Sequence, residues 1–194
     1  GFRTDLNEAI VEELQLAQNE LEQGGHLPNF MRKAVDLAVV ATEQSVSLPS
    51  DFLRESTYEA VMFGTGNPFE LVRRTVAEAQ YIVSFSPAGV PLVYSRDGLA
   101  EMLLWPIPSE STTLSLTYYA KEPVLASGTD ENKWSELYPN LLIGKAGAVL
   151  AETLQNLPLA QVFSALADTA WANLIAADAA DDASGATLKM GGWG

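Results

Sequence analysis

Residues 113–120 read Thr-Leu-Ser-Leu-Thr-Tyr-Tyr-Ala, and this stretch sets the middle of the chain apart from its two ends. Leu114, Leu116 and Tyr118 alternate with Thr and Ser. This alternation indicates a strand with one buried face, because successive side chains of a strand point to opposite sides. Shorter strand candidates lie upstream, between turn signals, at residues 45–48, 57–63, 81–85, 91–94 and 101–105. The sequence therefore predicts a β-rich insertion over residues 44–131, in which residues 69–80 are a candidate for a short helix.

Apolar residues at helical spacing precede this insertion. Leu6, Ile10 and Leu14 recur one turn apart and predict a first helix. A second helix is predicted over residues 28–42, since Pro28 suits the first turn of a helix. The apolar residues that share one face of this second helix are Phe30, Ala34, Leu37, Ala38 and Ala41.

Helical spacing returns after the insertion. One stripe runs through Leu142, Ala146 and Leu150, and the pair Leu157-Pro158 interrupts it. A second stripe consists of Leu159, Phe163, Leu166, Ala170 and Leu174. The predicted fold class is α+β, mainly α. It comprises a helical bundle of residues 1–43 and 132–183, the β-rich insertion of residues 44–131, and a Gly-rich C-terminal tail of residues 184–194.

The charge of the chain limits its partners. Asp and Glu total 25 against 11 Lys and Arg, which gives a net charge of −14. Such a surface repels phosphate, so we expect neither tight binding to the DNA backbone nor docking on an anionic membrane. The alternative is that the acidity only keeps the chain soluble. The chain has no cysteine, which excludes disulfides and Cys-based metal sites.

Residues capable of chemistry are few and scattered. His26 is the single histidine and cannot form a multi-His metal site alone, so it is interpreted as a solvated loop residue. Residues 64–66, Gly-Thr-Gly, lack the Lys and Ser or Thr of a phosphate-binding loop and are interpreted as a turn. Asp178, Asp181 and Asp182 can hold a cation or mark a solvated helix end, and the second interpretation is preferred. We expect no catalytic, cofactor-binding or metal-binding residue.

Large aromatic residues are candidates for packing or subunit-interface anchors, which is a commoner role for such residues than ligand stacking. These candidates are Phe52, Tyr118, Trp134, Tyr138, Phe163 and Trp171.

Three stretches of sequence together resemble a known family. Residues 48–55 read Leu-Pro-Ser-Asp-Phe-Leu-Arg-Glu, and residues 105–108 read Trp-Pro-Ile-Pro before the strand that ends in Tyr-Tyr-Ala. Residues 132–139 read Asn-Lys-Trp-Ser-Glu-Leu-Tyr-Pro and precede an Ala-rich helix. Their order and spacing are similar to those of the head-to-tail adaptor (connector) proteins of tailed bacteriophages, especially those of short-tailed phages.

The resemblance implies a structural virion protein that is not an enzyme and needs no cofactor. Such adaptors form a ring, commonly of twelve copies, attached below the portal protein at the head–tail junction. The ring extends the DNA channel and contacts a tail or nozzle protein, and DNA passes through it without specific binding. We expect the chain to be made in the cytoplasm of the bacterial host. We expect no membrane partner.

The tail residues Leu188, Lys189, Met190 and Trp193 are the candidates for portal binding, because the apolar side chains of this tail, spaced by Gly and Lys, have no partner of their own in the sequence. The alternative is a plain flexible terminus. The alternative functions are a neck, stopper or tail-completion protein of the same particle and, less in keeping with the sequence, a small carboxylate-dependent hydrolase.

Overall fold

The computed structural model describes residues 2–57, 60–82 and 87–189, with side-chain environments for residues 6–57, 60–81 and 87–183. The chain forms two compact units. We call residues 1–30 and 122–194 the helical unit and residues 31–121 the β unit. Among the described residues, no helix combines the length and the apolar character that crossing a bilayer requires.

The described residues contain five α-helices, four of them in the helical unit. They are α1 (Phe2–Gln23), α2 (Val76–Ile82), α3 (Lys133–Leu137), α4 (Pro139–Thr153) and α5 (Leu157–Lys189). A short 3-10 turn, Asn29–Met31, follows α1. Pro139 opens α4 and Pro158 lies in the first turn of α5, where the missing amide hydrogen of proline removes no helical hydrogen bond. The backbone of α5 continues through Ser184 and Gly185.

Helices α4 and α5 form a closely packed antiparallel hairpin. Only residues 154–156 separate them. A Cβ placed on Gly144 would lie 2.7 Å from the amide nitrogen of Ala167, and one placed on Gly147 would lie 2.8 Å from the ring of Phe163. Glycine at these two positions therefore allows the helix axes to approach. The buried side of α5 is a narrow stripe, whose most buried members are Ala160, Ala167, Leu174 and Asp178.

The β unit contains eleven strands within the described residues. They are β1 (Arg32–Val39), β2 (Ser45–Ser47), β3 (Phe52–Glu55), β4 (Val61–Phe63), β5 (Phe69–Glu70), β6 (Val72–Arg73), β7 (Ala88–Gly89), β8 (Val93–Asp97), β9 (Glu101–Trp105), β10 (Ile107–Pro108) and β11 (Thr112–Ala120). One sheet has the order β1-β11-β4-β5, with β3 also paired to β11, and a second has the order β2-β9-β8-β6. The short strands β7 and β10 form a parallel pair.

Strand β11 organises the first sheet, since it pairs antiparallel with β1, β3 and β4. Its Leu114, Leu116 and Tyr118 are buried, as their alternation predicts. Both sheets contribute to one hydrophobic cluster, which includes Val46, Met102, Leu104, Val61 and Leu116. Between β8 and β9 the chain turns at Gly98, whose φ of 69° is one that glycine adopts without steric cost.

The structure corrects the predicted fold class, because "mainly α" is wrong. The predicted helix over residues 28–42 is the strand β1, which pairs with β11 along its whole length from Arg32↔Tyr119 to Val39↔Thr112. The predicted short helix at residues 69–80 is wrong in its first half, which forms β5 and β6. The protein is α+β, and the β-rich middle of the chain includes this additional strand.

Other predicted elements are confirmed. The strands at residues 101–105 and 113–120 correspond to β9 and β11, and the helices at the two chain ends correspond to α1, α4 and α5. The strand predicted at residues 81–85 is wrong at Tyr81 and Ile82, which end α2, while residues 83–85 lie outside the described part of the chain.

Candidate assembly surfaces

The stretch of residues 48–55 contributes a polar bridge at the first sheet of the β unit. Asp51 precedes β3 and accepts hydrogen bonds from Lys33 Nζ on β1 and from Tyr118 Oη on β11, both at 2.9 Å. Phe52 stacks on Tyr118 with ring centroids 5.6 Å apart. This stretch therefore ties β3 to two other strands through one carboxylate and one aromatic ring.

The bridge changes the protonation of its members. Burial alone would raise the pKa of Asp51, but the hydrogen bonds from Lys33 and Tyr118 outweigh it and hold the pKa below its ordinary value of 3.8. Burial, and then the hydrogen bond to Asp51, raise the pKa of Tyr118 to about 12. Asp51 is thus a charged acceptor and Tyr118 a neutral donor across a wide range of pH.

The stretch of residues 132–139 anchors the start of the hairpin. The Asn132 side chain accepts from the Ser135 amide, and Ser135 Oγ accepts from the Asn132 amide at 2.9 Å, which forms a capping box on α3. Trp134 is fully buried, with its ring edge-to-face against Phe30 at 4.9 Å. Tyr138 stacks on the same Phe30 at 5.8 Å.

A buried polar network joins α1 to the segment that precedes α3. Gln18 Nε2 donates to Glu22 Oε1 at 2.9 Å, and Asn132 Nδ2 donates to Gln18 Oε1 at 3.0 Å. The amide of Glu122 donates to the same Glu22 oxygen at 3.3 Å. Because buried polar groups are costly unless they are hydrogen-bonded, this network fixes how the returning chain docks on α1.

His26 and the acidic end of α5 also meet, which corrects their interpretation as separate solvated groups. His26 Nε2 lies 2.7 Å from Oδ2 of Asp178, a residue only 7% exposed. The Asn29 amide donates to the other oxygen of Asp178 at 3.2 Å, and the Asn29 side chain reaches Asp182. No sequence signal links residues 152 positions apart. The pKa of Tyr138 is raised, first by burial and then by the negative charges of Asp178 and Asp181 on α5.

The six predicted anchor residues occupy two kinds of environment. Phe52, Tyr118 and Trp134 are buried within their own unit. Tyr138, Phe163 and Trp171 are half-buried on the helical unit, where Trp171 meets the His26 ring edge-on at 5.9 Å. Of the predicted portal-binding residues, Leu188 and Lys189 belong to the last turn of α5, whereas Met190 and Trp193 lie outside the described residues. A role of any of them in binding stays a prediction.

The outward surface of the hairpin was not singled out from the sequence. Leu154 and Leu157, at the turn between α4 and α5, are 71% and 63% exposed, and Val162, in the second turn of α5, is 64% exposed. Along α5, the face opposite the buried stripe is exposed and uncharged, and consists of Val162, Ala165, Thr169, Ala172, Ala176 and Ala179. A surface helix normally presents charged side chains to solvent, so this face has the character of a contact surface.

The described residues contain no cluster of three or more His, Cys, Asp or Glu side chains that could hold a metal ion. Three acids have a pKa below the ordinary value, and each is hydrogen-bonded locally. Asp51 accepts from Lys33 and Tyr118, Glu78 from Thr75 at 2.9 Å, and Asp130 from the Ser127 hydroxyl at 2.7 Å. The described geometry presents packing anchors and exposed surfaces.

Comparison with known protein families identifies the family of this chain. The family model described as SU10 adaptor protein matches residues 2–190. The chain therefore belongs to the SU10 adaptor protein family. Its membership confirms the resemblance to phage adaptors and makes it a structural adaptor of a phage particle. No curated protein is similar enough to match.

Proposed function

We propose that this chain is one subunit of an adaptor ring that is attached below the portal, connects the DNA-filled head to the tail and extends the DNA channel. Membership of the SU10 adaptor family supports this proposal. Its immediate partners are copies of itself, in a ring of about twelve subunits as the family resemblance implies, together with the portal above and a tail or nozzle protein below.

The observation that carries the proposal is the outward face of α5. From Leu157 to Ala177 the helix contains one ionisable residue, Asp168. Two copies that each carry a net charge of −14 repel one another, so they associate most readily where their surfaces are uncharged. The face between Val162 and Ala179 meets this condition and its small residues let another backbone approach.

A closed ring also needs a different contact patch on each side of every subunit. In our proposal the helical unit forms the wall of the ring, and the β unit projects towards neighbouring subunits or the tail. Some of the 25 carboxylates line the channel and keep DNA from adhering as it passes. A neck or stopper protein would use the same kinds of surface but would occupy a layer further from the portal.

The end of the chain is the proposed portal contact. Leu188 and Lys189, together with Met190 and Trp193, supply apolar groups and one cation. Truncation from Ser184 onward is expected to abolish binding to portal rings in a pull-down assay, while α-helical circular dichroism remains. Unchanged portal binding by the truncated chain would discard this contact.

The ring is tested by electron microscopy of the chain mixed with purified portal. We expect an additional layer of density on one end of the portal, with rotational symmetry that gives the copy number. Portal particles without added density, or the chain bound as isolated single copies, would contradict the proposal. Density that appears only after another neck protein is supplied would support the alternative of a neck or stopper.

A further inference from the structure

The β unit has an arginine-lined groove, which neither the family match nor the hairpin surface explains. Arg73, Arg74 and Arg96 line it, together with Thr75 and Val76 and with Glu78 and Ser95. Three of the 11 cationic residues of a strongly acidic chain therefore converge on one place. Such a concentration against the overall charge points to an anionic ligand.

Strand pairing builds the groove. Strand β6 runs parallel to β8 with Arg73 opposite Tyr94, and the Arg74 amide donates to the Tyr94 carbonyl at 2.8 Å. Arg73, which ends β6, and Arg74, which follows it, are thereby placed near Arg96 on β8. The positions of all three follow from the backbone ladder and do not depend on a flexible loop.

One carboxylate, that of Glu55, holds two of the three guanidinium groups, and a second, that of Glu78, is occupied by Thr75. Oε2 of Glu55 accepts from Arg96 Nη1 at 3.1 Å and from Arg73 Nη1 at 3.5 Å. Glu78 is engaged by the amide and hydroxyl of Thr75, at 3.0 and 2.9 Å. The Arg73 side chain is 55% exposed, so its remaining donors face solvent. The groove therefore keeps an excess of positive charge and of hydrogen-bond donors.

The chain itself supplies suitable acceptors. The helical unit carries 15 of the 25 acidic residues but only 4 of the 11 basic ones. On α1, Glu8 and Glu12 are exposed and lie one turn apart. Like charges at this spacing destabilise a helix, and cations from another molecule would relieve the repulsion. Nucleic acid is a poorer fit, because the net charge of −14 repels its phosphates.

We propose that the groove of Arg73, Arg74 and Arg96 in one subunit binds the Glu8 and Glu12 carboxylates of α1 in the next subunit. The groove and α1 are different surfaces of one chain, so the contact is heterologous and passes from copy to copy around a ring. This inference rests on the proposed ring and identifies one of its two complementary patches. It adds a charge-complementary contact to the uncharged contact through α5.

A charge exchange tests the contact. Two double variants are made, one with Arg73→Glu and Arg74→Glu and the other with Glu8→Arg and Glu12→Arg. Each is expected to raise the concentration needed for assembly at least about tenfold. Sedimentation velocity measures assembly, both for the chain by itself and for the chain mixed with portal rings. A chain with all four substitutions is expected to recover assembly, because each groove then meets a complementary α1. Higher salt is expected to weaken assembly of the unmodified chain.

The matched control is Arg32→Glu with Lys121→Glu, which changes the net charge equally at exposed cations of the same unit that do not line the groove. It is expected to assemble like the unmodified chain, and circular dichroism verifies that all variants fold. Normal assembly of the groove variant, or no recovery with four substitutions, overturns this inference and leaves the ring intact.

Two other results would also overturn it. If the unmodified chain forms no ring with or without portal, the ring proposal fails and this contact fails with it. If the unmodified chain binds duplex DNA and Arg73→Glu with Arg74→Glu abolishes that binding, the groove is a nucleic-acid site.

Discussion

Gly144 of α4 faces the backbone of Ala167 on α5, and a Cβ at Gly144 would approach the Ala167 amide nitrogen to 2.7 Å. The same Cβ would lie 2.9 Å from the carbonyl oxygen of Phe163. Main-chain atoms of a helix cannot relieve a steric clash by changing rotamer, as a side chain can. The distance between α4 and α5 is therefore fixed by the absence of a side chain at one residue.

Gly144→Ala is expected to destabilise the protein by about 1–3 kcal/mol, because overpacking at a backbone contact outweighs the better helix propensity of alanine, which is about 1 kcal/mol. Chemical denaturation measures the change. Gly128→Ala is the control, since a Cβ at Gly128 meets nothing within 4 Å. Equal stability of the two variants would show that the hairpin can widen at no cost.

Asn132→Ala is expected to lower the free energy of unfolding by about 1–2 kcal/mol, through loss of the α3 cap and of the donor to Gln18. The Pro123 carbonyl also loses its 2.7 Å hydrogen bond from Asn132. Urea denaturation of this variant is compared with that of Asn140→Ala, which changes an exposed residue of α4. A loss no greater than that of the control would contradict the structural role of the network.

Asp51→Asn is expected to remove part of the acid sensitivity of the β unit. The pKa of Asp51 is lower in the folded than in the unfolded state, so its charge stabilises the fold above pH 3.8, and this stabilisation disappears as the pH falls through the lowered value. The gain at neutral pH is modest, about 1 kcal/mol, because the Lys33 and Asp51 side chains are partly exposed. Denaturation curves at a series of pH values below 5, roughly the upper end of that transition, are the measurement. A variant with the same pH profile as the unmodified chain would count against the bridge.

Tyr118 is expected to titrate late in an ultraviolet absorbance titration, at about pH 12. Its pKa is higher in the folded than in the unfolded state, so its contribution to stability is complete below the ordinary value of 10.0 and is lost as the pH rises through about 12. Tyr118→Phe should remove this late component, and Asp51→Asn should move it to lower pH. Titration near 10 in the unmodified, folded chain would contradict the hydrogen bond to Asp51.

Ala172→Arg is expected to block ring formation without unfolding the subunit, since Ala172 is exposed on the outward face of α5 and a guanidinium buried there in an interface has no partner. Ser109→Arg adds the same charge to an exposed position of the β unit and serves as the control. Particle mass and melting temperature are measured for both. Rings formed equally by both variants would exclude this face from the interface.

The sequence predicted some parts of the fold well because their signal is local. The alternation of Leu114, Leu116 and Tyr118 predicts β11, and helical spacing predicts α1, α4 and α5.

The wrong prediction of a helix where β1 lies has a local cause too. Residues 32–39 combine helical spacing through Ala34 and Ala38 with a period-two pattern of Val35, Leu37 and Val39, and pairing with β11 decides for the second.

The candidate surfaces were less predictable, because they depend on residues far apart in the chain. Asp51 meets Lys33 and Tyr118 only after three strands have paired. No local sequence pattern predicts the contact between His26 and Asp178. It forms only because α5 brings Asp178 back to the segment that follows α1. The arginine groove likewise appears only when β6 pairs with β8.

The length of α5 has a mechanical consequence. It is a single helix of 33 residues, about 50 Å long at 1.5 Å per residue, and it has neither proline nor glycine between Pro158 and Gly185. A helix without such a kink behaves as a stiff rod, so a force applied at Asp182, before Gly185, is transmitted to the Leu154–Leu157 turn instead of being absorbed by local bending. A load on one end of this helix is thereby felt at the other.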